Sequence, residues 1–385
     1  MRLLFWTGKF WPEIGGTATF ATRLLPVLKL RGYEILVVAA QNSPNQSSQD
    51  TFKGIPVKRF PFWDQNTYKK IERLSSIKKS VAMLKREFSP DLIHLSTLNL
   101  SHFFHLETRQ AHASPVMVTL HGFQDSKETD HHNHTTLGEQ VLDSANWVTG
   151  VSHSLLDQAR LLTPGIIPRS SVIHNGLDIP PVLPKPLPVD PPILLYLGRL
   201  SKEKGVDRAL AILPAIVELY PSIRLLVAGD GPERLFLEKL SLDLGIRKHV
   251  EFLGMIPAED IPTLLNKATI VLMPSRMESF GFVAVEAALM ARPVVATRVG
   301  GLSEIIVHSK TGLLVANEEG QELRHAVMYL LAHHQIAEQI GKAARQRAIE
   351  NFSLHGCVDA YELLYQKIRN EFKAPKARNS LPVHT

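Results

Sequence analysis

Two acidic side chains eight positions apart, Glu278 and Glu286, bracket Ser279-Phe280-Gly281-Phe282 in the stretch Met273–Glu286. The glycine and the apolar residues after it predict a helix start, whose first turn leaves backbone N–H groups free to hold an anion. Glu278, in the loop ahead of that helix, can accept hydrogen bonds from sugar hydroxyls. Glu286 lies about a turn and a half into it, at roughly 3.6 residues per turn, and can reach a second polyol such as ribose. Its neighbours Phe282–Val285 and Ala287–Met290 are apolar, and an acid buried there needs a partner because an unpaired buried charge is costly. The plainer alternative is an amphipathic helix with one capping and one solvated acid.

A second charged group stands in Gly198-Arg199-Leu200-Ser201-Lys202-Glu203-Lys204-Gly205, directly after the apolar run Ile193–Leu197. If that run is a sheet strand, Arg199 and Lys204 project from the loop at its carboxyl end, where open α/β sheets bind ligands. A guanidinium fork and an ammonium point charge suit a diphosphate; a solvated charged turn is the alternative. In the first half, Gly15-Gly16 precedes a helix, and Thr119-Leu120-His121-Gly122 follows an apolar strand. That places His121 at a strand's carboxyl end, where a lone histidine is more often structural. The cluster His131, His132 and His134 has no spacing expected of metal ligands and reads as a surface loop.

Strands and helices must hold these residues. Apolar runs at Leu3–Thr7, Tyr33–Ala40, Asp91–Leu95, Val116–Leu120, Trp147–Val151 and Ser171–Ile173 alternate with helical periodicity, which predicts a parallel, doubly wound sheet. The proline-dense run 177–192 breaks the pattern and reads as an extended linker. Alternation resumes with Ile193–Leu197, Ile223–Ala228, Val250–Leu253, Ile270–Met273 and Val294–Ala296. The expected organisation is a domain at 1–176, the linker, a second domain at 193–352, a helix at 353–372 crossing back to the first domain, and a disordered tail at 373–385. A length of 385 residues suits two such domains.

With 44% hydrophobic and 21% charged residues the chain reads as folded and soluble. Its charge of +6 favours phosphorylated ligands or anionic surfaces. The lone cysteine, Cys357, excludes an internal disulfide and a cysteine-based metal site. No run is long enough for a secretory signal or membrane span, so the expected location is cytoplasmic. Residues 69–86 form a basic amphipathic pattern, Lys70, Arg73, Lys78, Lys79 and Lys85 interleaved with Ile71, Leu74, Ile77, Val81, Met83 and Leu84. It reads either as the solvated face of a packed helix or as a peripheral contact with anionic lipid. Without aromatic interleaving on strands, nucleic acid is not an expected partner.

The ordered set Gly198–Gly205, Val227–Glu233, Phe252-Leu253-Gly254, Glu278/Glu286, Pro293–Thr297 with Gly300-Gly301 and Glu304-Ile305-Ile306, and Thr311–Leu314 resembles the family 4 retaining glycosyltransferases of GT-B fold. It covers most of residues 193–316. The resemblance implies two Rossmann-like domains facing a central cleft, with a nucleotide diphosphate sugar as donor and an unidentified hydroxyl acceptor. Arg199 and Lys204 would hold the diphosphate and stabilise the leaving nucleotide. Glu278 would touch the donor sugar and Glu286 the ribose, with Gly198 and the backbone of Ser279, Phe280, Gly281 and Phe282 close to the donor. Met255 and Ile256 would lie against the base, uridine being favoured. Gly15 and Gly16 would approach the phosphates, and His121 the donor sugar. Ser152 and Asn175–Asp178 fit positions at the crossing between domains. No Asp-x-Asp metal clamp occurs, so Arg199 and Lys204 would do that work without metal or cofactor, and a front-face displacement is the mechanism the resemblance implies. A silent nucleotide-sugar-binding partner subunit and an epimerase of the same fold are the rival readings.

Overall fold

The computed structural model describes residues 1–13, 15–43, 45–62, 71–122, 136–316 and 320–373. The tail beyond 373, residues 69–70 and the histidines at 131, 132 and 134 lie outside the described residues.

Contacts divide the chain into two units. The first comprises Met1–Gly150, Leu156–Ile173 and Val358 onward; the second comprises Val151–Leu155 and His174–Cys357. The strands of the first are β1 (Arg2–Thr7), β2 (Glu34–Ala40), β3 (Gln49–Phe52), β4 (Ile55–Phe60), β5 (Leu92–Ser96), β6 (Val116–Leu120), β7 (Trp147–Gly150) and β8 (Ser170–Val172). They form one sheet in the order β3-β4-β2-β1-β5-β6-β7-β8. All pairings are parallel except β3 with β4. The sheet order reverses between β1 and β5, making the ends of those strands the switch point of the doubly wound sheet.

The β3–β4 hairpin was not legible as strands, since Gln49-Asp50-Thr51 and Pro56 break the apolar run. A two-residue turn makes it: Lys53 and Gly54 have φ of 47° and 74°, the pair of left-handed conformations that matches strand twist.

The second unit holds β9 (Ile193–Leu197), β10 (Arg224–Ala228), β11 (Val250–Gly254), β12 (Ile270–Met273), β13 (Val294–Thr297) and β14 (Leu313–Val315). Their order is β11-β10-β9-β12-β13-β14, parallel throughout. Here the switch point lies between β9 and β12. Leu194, Leu225, Val227, Leu272 and Val295 are buried in its core with Leu210, Leu213 and Ile216 of the helix Val206–Leu219.

The proline-dense run is no free spacer. Asn266 donates to the Leu183 carbonyl and accepts from the Lys185 N–H, both at 2.9 Å, and Thr269 donates to the Pro188 carbonyl at 2.8 Å. The fully buried Arg292 donates to the carbonyls of Lys185, Ala268 and Met290. Proline leaves carbonyls without a matching N–H in such a run, and these side chains satisfy them from the second unit.

The final helix runs Leu354–Lys373. In the first unit its Tyr365 hydroxyl meets His94 Nδ1 at 2.6 Å, while His94 Nε2 meets Thr119 Oγ1 at 2.7 Å. Among the described residues no helix is long and apolar enough to cross a membrane.

Candidate functional site

In the second unit the loops after β9 and β12 leave adjacent strands at the switch point. The Lys204 ammonium donates to Glu278 Oε2 at 2.7 Å, their side chains 27% and 13% exposed. That shelter separates the pair from a solvent-screened surface bridge. Arg276 fixes the same two loops together. Its guanidinium holds the Asp207 carboxylate in a fork at 2.8 and 2.6 Å and donates to the Lys202 carbonyl at 2.8 Å, while its backbone N–H donates to the Glu203 carbonyl at 2.7 Å. The Arg276 hydrogen bonds keep Asp207 below the ordinary carboxylate range against the opposing effect of burial. Arg199 is exposed, and its carbonyl accepts from the buried Tyr196 hydroxyl at 2.8 Å.

Glycine permits the loops to approach this closely. Gly205 has φ +68°, and a Cβ there would fall 2.0 Å from the Pro274 carbonyl oxygen. A Cβ on Gly300, at φ +45°, would fall 1.9 Å from the Glu278 carbonyl oxygen. Side chains other than glycine's are excluded by both strain and space.

The helix beside Glu278 runs Phe282–Leu289, opened by Gly281 at φ 110° with no side-chain cap. Its first-turn N–H groups are therefore available to a ligand. Glu286 is half-buried and partnered within the structure, as its apolar setting requires. Ser279 and Phe280 lie between Glu278 and that helix start, with Phe280 buried. Gly198 follows β9, and its N–H donates to the Ala228 carbonyl at 2.9 Å. After β11, Gly254 turns the chain at φ +72°, leaving Met255 exposed and Ile256 half-buried. The second unit thus brings Arg199, Lys204 and Glu278, on loops, and Glu286, on the helix that follows, beyond the carboxyl ends of the central strands β9 and β12.

In the first unit Gly15 and Gly16 open the helix Gly16–Leu30, again without a side-chain cap. Thr17 Oγ1 meets Thr97 Oγ1 at 3.3 Å across the β1/β5 switch point. His121 follows β6, its ring 4.5 Å from that of Phe20. The residue as a whole is half-buried, but Nε2 is enclosed and has no hydrogen-bond partner among the described residues. Burial pushes the imidazole down to about 3, so it is neutral near pH 7.

Met83 and Lys85 depart from the amphipathic face expected at 69–86, since Met83 is exposed and Lys85 is buried. Of the basic pattern at 69–86, realised as the helix Ile71–Phe88, Lys85 points inward. Its ammonium donates to the His105 carbonyl at 3.1 Å and lies 5.8 Å from the Trp6 ring centroid, and burial lowers its pKa to about 7. Lys78 is spent on Glu107 at 2.6 Å. Lys79 and Arg86 remain at the exposed surface.

Sequence reasoning missed the Arg276–Asp207 fork and the contacts of Glu304 and Ser152. Arg276 and Asp207 are 69 residues apart, and no periodicity links them.

Two family models match in tandem: "Glycosyltransferase Family 4" over residues 14–180 and "Glycosyl transferases group 1" over residues 184–347. Glycogen synthase of Mycobacterium tuberculosis is 26% identical over the whole of this chain and 99% of its own. N-acetyl-alpha-D-glucosaminyl L-malate synthase of Bacillus anthracis is 25% identical over 95% of this chain and 97% of its own. Among solved structures, sucrose-phosphate synthase from Thermosynechococcus elongatus superposes with a TM-score of 0.82 at 22% identity, covering 96% of this chain and 100% of that one. HepE from Anabaena, solved in complex with UDP, gives 0.76 at 22% identity over 95% and 100%.

Proposed function

Because the chain belongs to the family 4 glycosyltransferases of GT-B fold, which take nucleotide sugars as donors, we propose that it is a retaining transferase needing no metal. The observation that carries this is the sheltered Lys204–Glu278 pair at the β9/β12 switch point, beside an uncapped helix start and the exposed Arg199. Donor diphosphate oxygens entering there meet two cations and free N–H groups, the counter-charge that a divalent ion supplies elsewhere. Glu278 then accepts from donor sugar hydroxyls, and Glu286 from the ribose.

In the proposed step the bond from the anomeric carbon to the diphosphate oxygen breaks, and its electron pair leaves with the nucleotide diphosphate. The acceptor oxygen bonds to the anomeric carbon on the same face, and the acceptor proton passes to the departing phosphate oxygen. Arg199 and Lys204 stabilise the charge that develops there. In the first unit His121, neutral and with Nε2 unpartnered among the described residues, is a hydrogen-bond group suited to an uncharged sugar hydroxyl. UDP-sugars are the first donors to test, given the UDP complex of HepE. A lipid-linked acceptor would suit Lys79 and Arg86, and sedimentation with phosphatidylglycerol vesicles tests that contact.

A panel of nucleotide sugars incubated in EDTA tests the reading. Slow release of nucleotide diphosphate from one donor, with the product's anomeric configuration retained by NMR, is expected. Turnover only with added Mg²⁺, or an inverted product, would contradict it. Interconversion of the donor sugar without transfer would favour the epimerase.

A further inference from the structure

Resting on the donor-site reading above, we infer that Ser152 and Glu304 are positioning residues for the donor loop Glu278–Gly281. Neither carries any of the chemistry assigned so far.

The segment Val151–Leu155 comes from the N-terminal half of the sequence yet packs as part of the second unit. Its Ser152 is fully buried, and the hydroxyl donates to the Ser279 carbonyl at 2.7 Å. Ser279 is the residue between Glu278 and the buried Phe280, just ahead of the uncapped helix start. A hydroxyl fixing that carbonyl sets the peptide planes whose N–H groups face a ligand.

Glu304 anchors the segment that carries Ser152. Its carboxylate accepts from the backbone N–H groups of His153 at 2.9 Å and Ser154 at 3.1 Å, and from His174 Nε2 at 2.9 Å. These hydrogen bonds, with that of His174 first among them, hold the carboxyl below its ordinary pKa against the opposing, largest effect of burial. Glu304 is itself fixed, because Arg347 donates to its carbonyl at 2.8 Å and to that of Ile305 at 2.9 Å.

The same short helix, Leu302–Ile305, begins where Gly300 and Gly301 touch the donor loop. The Gly301 N–H donates to the Glu278 carbonyl at 3.0 Å, and a Cβ on Gly301 would fall 2.4 Å from the Phe280 carbonyl oxygen. The donor loop is thus held at two consecutive carbonyls. Gly301 holds Glu278, Ser152 holds Ser279, and Glu304 joins the two supports. Lys204 and Arg276 hold the loop from the other direction. Loss of either support leaves the charged side chains in place but lets the helix start drift, and the N–H groups there are the ones that would hold the donor's anionic part.

Hydrogen–deuterium exchange of the full chain, without ligand, tests this on wild type, Ser152→Ala, Ser152→Thr and Glu304→Gln. Amides at 279–283 are expected to exchange about tenfold faster in Ser152→Ala and Glu304→Gln, with β9 and β10 unchanged and Ser152→Thr restoring the wild-type rate. The donor KM should rise about tenfold in the same two variants, the loss of one hydrogen bond's worth, with kcat nearly unchanged. Wild-type exchange at 279–283 in both variants would overturn the inference, as would uniform acceleration across 193–352, the mark of a merely structural role. Calorimetric UDP binding by wild type reports separately on the donor reading, since the exchange comparison needs no nucleotide.

Discussion

The two units are built on the same doubly wound plan but treat their polar groups in opposite ways. In the second, charged side chains at the switch point are paired with one another: Lys204 with Glu278, and Arg276 with Asp207. In the first, a set of titratable groups is buried, and burial disfavours their charged forms. His94, His102, His105 and His121 are all pushed down by burial, and Lys85 is lowered with them. A site made of fixed charges suits a diphosphate, whereas neutral buried donors and acceptors suit uncharged hydroxyls. That contrast is what the proposed donor reading calls for, with the donor's charged part at the second unit.

The largest expected effect is at the charge pair. Glu278→Ala should reduce donor turnover by about 10²–10³-fold, as removal of a preorganised polar group does, measured as nucleotide release. His121→Ala, removing a neutral group, should cost less; equal losses would break the contrast between the units. Next comes Gly300→Ala, which sets a Cβ against the Glu278 carbonyl at positive φ. It should destabilise the second unit by about 2–4 kcal/mol, read by denaturant unfolding. Gly15, where a Cβ meets nothing within 4 Å, should respond through backbone strain alone.

Acid should separate the units as well. The buried histidines have folded pKa values below the unfolded one, so the unfolded state binds more protons in that window. Their contribution is present above about pH 6.5 and is lost as pH falls towards the folded values, about 3 for His102 and His121. The depressed carboxylates Asp207 and Glu304 contribute above their unfolded values and lose that contribution only at lower pH. All four tryptophans, at 6, 11, 63 and 147, belong to the first unit's sequence. Tryptophan fluorescence should therefore change at higher pH than amide protection in β9–β13. Coincident transitions would refute the difference.

The smallest effect is at Lys85. With a folded pKa near 7, it makes stability rise between about pH 7 and pH 10, because the unfolded chain retains the proton longer. Urea midpoints of wild type and Lys85→Met should diverge across that range; parallel profiles would place the ammonium in water.

The second unit was the more legible in sequence because its chemistry sits within short segments. Arg199 and Lys204 share one loop, and Glu278 and Glu286 flank one helix start, so spacing alone brought them together. Long strands buried on both faces were legible, as at Val116–Leu120, whereas β14, equally buried but only three residues long, was not. The β3–β4 hairpin was not, since the edge strand β3 is largely polar and its neighbour β4 alternates polar with apolar and carries Pro56. Lys85 could not be told from its surface neighbours by pattern, because its burial depends on His105 and Trp6, which are distant in sequence. The supports through Ser152 and Glu304 are non-local too. Their partners lie more than a hundred residues away, and only the folded chain brings them together.

The most direct test of the charge-pair account is calorimetric titration of UDP into wild type, Arg199→Ala and Lys204→Ala, each in EDTA and again with Mg²⁺. The account predicts that wild type binds equally in both and that each variant weakens binding by about tenfold or more. Wild-type binding that requires Mg²⁺, or an affinity unchanged in both variants, would contradict it.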